Sequence, residues 1–126
     1  MKRLLSILII GLVVLMCSAL LYGNGEEVAK KVNLSICLGQ EAGIVEVLAP
    51  DVVLVMQGVE NHCTKQQAEQ VLREFFKRNK TAQFISKVEH NHISGKLTTT
   101  EGKVFELEYV LRFVNNQEVI TGFYIR

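Results

Sequence analysis

Between Thr64 and Arg126 the spacing of apolar residues changes once, from a repeat near 3.6 to a repeat of 2, and that change narrows the available folds more than any other feature of the chain. Thr64 predicts a helix N-cap with Gln67 three residues on, a capping box that satisfies two backbone N–H groups otherwise left without partners. Ala68, Val71, Leu72, Phe75 and Phe76 follow at i, i+3, i+4, i+7 and i+8, which puts all five on one buried face of a helix from Lys65 to about Lys80. The opposite face holds Glu69, Gln70, Arg73, Glu74, Lys77 and Arg78, with Glu69/Arg73 and Glu74/Arg78 at the favourable i,i+4 spacing. That charge run is a solvated face rather than a binding patch.

Past Lys80 the pattern is that of strands. Thr81 to His90 and Ile93 to Thr100 read as two, and Glu101-Gly102 as a short hairpin turn. Lys103 to Phe113 alternates, with Phe105, Leu107, Tyr109, Leu111 and Phe113 facing one way and Glu106, Glu108 and Arg112 the other. Asn115-Asn116 makes the last turn, and Glu118 to Arg126 closes the sheet with Val119, Phe123 and Ile125 on one side.

Ahead of the capped helix, Glu26 to about Leu38 predicts another, with Val28, Ala29, Val32 and Ile36 on a stripe, Glu26/Lys30 and Glu27/Lys31 outside, and Gly39 ending it. Gln40 to Leu48 reads as a short helical piece closed by Pro50. Val52 to Met56 is a buried strand, and Gly58 turns the chain toward Val59 to Cys63. Segregated helices and a long meander mean an α+β fold, with N-terminal helices and the long capped helix packed on a curved, mostly antiparallel sheet.

The element order is that of the nuclear transport factor two-like, or cystatin-like, cone. The stretch from Cys63 to Lys80, which reads K-x-Q-A-E-x-x-L-x-x-F-F-x-x-N-K from Lys65 onward, resembles the centre of a family of small exported Bacteroidetes proteins classed as a domain of unknown function. The resemblance runs from the leader to the last strand and implies the cone fold. It brings no catalytic residues, because the family has none assigned. Relatives often place an aromatic before the Ser/Thr cap, where this chain has Cys63.

The N-terminus predicts export. Lys2 and Arg3 precede an apolar run from Leu4 to Leu15 broken only by Ser6 and Gly11, the pattern of a signal peptide over residues 1–23 with a single domain over 24–126. Apolar residues continue through Leu21, beyond the roughly 7–15 usual for a signal core, so an uncleaved anchor stays open beside cleavage after Gly23. A lipid on Cys17 is a third outcome, disfavoured by bulky Met16 before it. In each case the positive start puts the domain beyond the cytoplasmic membrane, periplasmic or secreted, with membrane contact only through the leader.

The net charge of +1, mixed along 126 residues, leaves no basic stripe for nucleic acid. Cys37 and Cys63 permit a disulfide in an oxidising compartment, and two buried free thiols are the preferred reading. The sequons at Asn33 and Asn79 fall in or at the end of predicted helices and read as chance.

His62, His90 and His92 could begin a metal site if one strand ran through Glu89–His92, with Cys63 beside them, but Asn91 marks a turn that splays the pair. No metal or other cofactor is expected, and no catalytic residue is assigned. The candidate pocket lining is the inner strand face, Phe105, Leu107, Tyr109, Leu111 and Phe113, where Tyr109 reads as core rather than as an oxyanion donor. The favoured reading is a non-catalytic module that binds a small apolar ligand at the cone mouth or a protein, with a homodimer through the exposed sheet face as one arrangement. The alternative is a hydrolase or isomerase, which needs an inward Asp or Glu within hydrogen-bond reach of Tyr109.

Overall fold

A computed structural model of the chain describes residues 27–126, and the expectations placed on the leader, Cys17 and Glu26 lie outside them. The described elements run α1 (Glu27–Leu38), α2 (Ala42–Val45), β1 (Leu48–Met56), β2 (Val59–Thr64), α3 (Lys65–Arg78), β3 (Thr81–Glu89), β4 (His92–Thr99), β5 (Val104–Val114) and β6 (Gln117–Ile125). The α+β expectation holds. The strands form one six-stranded sheet in the order β2-β1-β6-β5-β4-β3. Every neighbouring pair is antiparallel except β1 and β6, which run parallel and join the two hairpin systems.

The capping box forms as its sequence requires. Thr64 Oγ1 accepts from the Gln67 backbone N–H at 3.2 Å, and Gln67 Oε1 accepts from the Thr64 N–H at 3.0 Å. Ala68, Leu72, Phe75 and Phe76 are buried on the sheet side of α3, but Val71, at the flank of that face, is 36% exposed. The five-residue buried face therefore narrows to four, because the sheet does not reach under Val71.

One boundary needs correction. The helical piece placed over Gln40 to Leu48 shrinks to α2, and β1 begins at Leu48, so Pro50 lies inside a strand instead of closing a helix. The strand tolerates it where the β1–β6 register shifts, between Leu48 and Val53, so that no ladder bond is asked of a residue lacking an N–H.

α1 packs against β3, and α3 against β1 and β2, all on the inner face of the sheet. Ala29, Val32, Asn33, Ile36 and Cys37 are the buried residues of α1. They meet Phe84, Ile93, Leu97, Leu107, Tyr109, Ile120, Phe123 and Ile125 in one continuous core. At Gly95 the curvature has a visible cause: a Cβ there would stand 2.5 Å from the Ile85 carbonyl oxygen, so β3 closes on β4 only because that side chain is missing. Cys63 is a buried free thiol as expected, whereas Cys37 is disulfide-bonded, which corrects the preference for two free thiols and rules out a bridge between them.

Candidate functional site

The inner face of β5 is the candidate pocket lining, and four of its five residues are buried. Leu107 and Tyr109 are fully buried, Leu111 is 1% exposed and Phe105 is 9% exposed. Phe113 departs from the expectation altogether: it is 76% exposed. β4 begins at His92 opposite Val110, so the β5–β6 hairpin runs on past its neighbour and carries Phe113 outside the covered part of the sheet.

Tyr109 stacks with Phe123 at a ring separation of 6.1 Å, and its hydroxyl donates to Asn33 Oδ1 at 2.8 Å, with the Ala29 carbonyl oxygen at 3.3 Å. Asn33 Nδ2 in turn donates to Ser86 Oγ at 3.0 Å. The inner sheet face thus holds a neutral amide–hydroxyl chain that ties α1 to β3 and β5. Asn33 and Thr99 are the buried polar residues among those described, and neither is an acid. The chain orders donors and acceptors and offers no base. Asn33, read from sequence as a chance sequon, is 3% exposed and committed to this network. One signal could have exposed it, since it stands between Val32 and Ile36 on the buried stripe of α1, where a polar residue requires a partner.

The histidines are not brought together. His62 lies on β2, and His92 on β4, four strand spacings or roughly 19 Å across the sheet. His90 occupies the turn before β4 with φ +56°. His92 Nε2 lies 3.2 Å from Glu108 Oε2 on the outer face, and Arg126 Nη1 lies 3.6 Å from the other oxygen of that carboxylate. Among the described residues no three metal-ligating side chains cluster.

Where the sheet stops short of Val71, a groove of about 950 Å³ opens between α3, the end of β1 and the start of β5. Its apolar surface comes from Met56, Val71, Phe75, Val104 and Phe105, and Phe75 and Phe105 meet edge to face at 5.2 Å on its floor. Gln57, Gln70, Glu74, Arg78, Asn79 and Lys103 complete the wall. Of the five residues expected to line a pocket, Phe105 borders this groove. Val71 and Val104, at 36% and 59% exposed, supply its open apolar edge. Arg78 Nε lies 3.9 Å from Glu74 Oε2, a loose exposed pair, and Asn79 Nδ2 donates to the Phe75 carbonyl oxygen at 3.0 Å.

A second polar system lies on another flank of α3. Arg73 donates to Glu41 at 3.0 Å and to Glu69 at 2.5 Å, pinning α2 to α3. The Glu41 carboxyl is held below the ordinary glutamate range, first by a hydrogen bond from its own backbone and then by that from Arg73.

Residues 29–125 match the family model described as Domain of unknown function (DUF4783). Solved members of that family are similar: one from Bacteroides fragilis is 29% identical with a TM-score of 0.71, covering 75% of this chain and 93% of that one. One from Bacteroides ovatus is 28% identical with a TM-score of 0.69, covering 75% and 90%. A protein of unknown function from Mesorhizobium loti with the nuclear transport factor two-like fold shares that fold at 16% identity, with a TM-score of 0.57 and coverage of 84% and 98%. No curated protein matches the chain.

Proposed function

The chain belongs to the DUF4783 family, a domain of unknown function, and on that footing we propose that it works outside the cytoplasm as a non-catalytic module that binds a small apolar ligand in the groove beside α3. The observation that carries this reading is the position of the open apolar surface. The cone interior is filled by side chains such as Leu107, Tyr109 and Phe123, while Val71 and Val104 remain exposed over the Phe75–Phe105 floor. At about 950 Å³ the groove falls within the range of ligand sites, roughly 300–1,000 Å³, and it sets an apolar floor and edge inside a polar and charged wall. An isomerase of this fold would place a carboxylate near the interior tyrosine, a position that an amide from Asn33 takes in this chain.

The export half of the proposal is supported by Lys2, Arg3 and the apolar run after them. Cell fractionation with N-terminal sequencing tests it: material beyond the cytoplasmic membrane is expected, and an intact soluble cytoplasmic chain would overturn it. For the groove, the probe is N-phenyl-1-naphthylamine, an uncharged apolar fluorophore. Saturable brightening at one site, abolished by Val104→Asp and by Val71→Asp, is expected. Binding that both variants leave unchanged, or no binding at all, would overturn the groove as the site.

A further inference from the structure

Resting on the groove as the binding site, we infer that its ligand is a single-tailed amphipath with a carboxylate head, of the long-chain acid class. Three observations on the groove wall lead there. Met56, Val71 and Val104, with Phe75 and Phe105 on the floor, supply the apolar surface that suits a tail. The charged residues of the wall are Glu74, Arg78 and Lys103, two cations against one carboxylate. The carboxylate is already drawn to Arg78, whereas Lys103 has no carboxylate partner among the described residues.

Arg78 and Asn79 end α3, and Lys103 immediately precedes Val104 at the start of β5, so the cationic part of the wall gathers where the helix end meets that strand. Thr100 N–H donates to the Lys80 carbonyl oxygen at 2.9 Å, which fixes the β4–β5 turn against the end of the helix, so the backbones that carry the two cations adjoin. The opposite part is uncharged, lined by Gln57 and Gln70. An acid head at the Lys103 side answers the unpaired charge while its tail lies along Val104 and Val71. An ammonium head there would meet the like charge of Lys103, and a neutral head would gain nothing from it. The Asn79 amide gives one of its two hydrogens to the Phe75 carbonyl oxygen.

The test is displacement of N-phenyl-1-naphthylamine from the purified protein by dodecanoate, dodecanol and dodecyltrimethylammonium, each below its micelle concentration. Dodecanoate should bind about fivefold tighter than dodecanol, the scale of exposed charge pairs, with the ammonium weakest. The preference should shrink as salt rises. Lys103→Gln should bring dodecanoate to the level of dodecanol, and Arg78→Gln should reduce the preference in part. Both residues are exposed, so both variants keep the fold. Equal binding of the three amphipaths, or an acid preference that survives Lys103→Gln and Arg78→Gln together, would overturn the inference while leaving the groove in place. Failure of all three, with the fluorophore also unbound, would overturn the groove and the inference together.

Discussion

Tyr109 and Asn33, 76 positions apart, meet at 2.8 Å through hydroxyl and amide in the closed interior. Because Asn33 also donates to Ser86, one side chain fastens the first helix to two strands at once. Removing the tyrosine hydroxyl leaves the amide oxygen buried without it, which costs more than an average hydrogen bond. Tyr109→Phe should lower stability by about 1–3 kcal/mol, and a double-mutant cycle with Asn33→Ala should show coupling on the order of 1 kcal/mol. Urea midpoints read both. Additive effects would mean that the two groups do not share a bond in solution.

The narrowed face of α3 gives a contrast within one helix. Phe76 is 4% exposed and packs edge to face on Phe75 at 5.4 Å, so Phe76→Ala should cost about 3–5 kcal/mol. Val71→Ala, at the groove edge, should stay within about 0.5–1 kcal/mol. Comparable losses at the two positions would place the sheet under Val71 after all.

Two glycines of the sheet differ in what blocks a side chain. At Gly95 a Cβ meets the Ile85 backbone, and at Gly122 it meets the Tyr124 hydroxyl at 2.6 Å. The tyrosine can swing away on the outer face; the backbone of β3 cannot. Gly95→Ala should therefore cost about 1–3 kcal/mol and Gly122→Ala distinctly less, as thermal midpoints would record. A reversal of that order would contradict the close approach of β3 to β4.

Glu41 sets an acid dependence of known sign. Its folded pKa is depressed, so the stability it contributes is present above the unfolded value, about 4.3, and is lost as pH falls through the folded value. Glu41→Gln should flatten the acid limb of stability against pH. Arg73→Gln should flatten it only in part, because the larger cause is the backbone hydrogen bond. Unchanged acid limbs in both variants would show that the α2–α3 tie is absent in solution.

Much of this architecture was legible because it is local. Thr64 and Gln67 announce α3 by themselves, and the alternation through Phe105, Leu107, Tyr109 and Leu111 announces β5. The misreadings arose where a residue's fate depends on distant chain. Phe113 keeps the alternation but overruns the neighbouring strand, and Pro50 breaks a pattern that a register shift then accommodates. The groove was illegible for the same reason: helical spacing puts Val71 beside a buried face, and only the length of the sheet beneath decides whether that face is covered.

The parallel pairing of β1 with β6, in which Val53 sits opposite Gly122 and Leu54 opposite Phe123, makes the last strand the keystone of assembly. Until β6 is in hand, the β1–β2 hairpin and the β3–β4–β5 meander have no backbone bonds between them, and closing the long loop between β1 and β6 has to be offset before the centre of the core forms. Folding should accordingly belong to the slower, non-local class of small domains, and a chain cut before Gln117 should lose the whole cooperative transition instead of one edge of it.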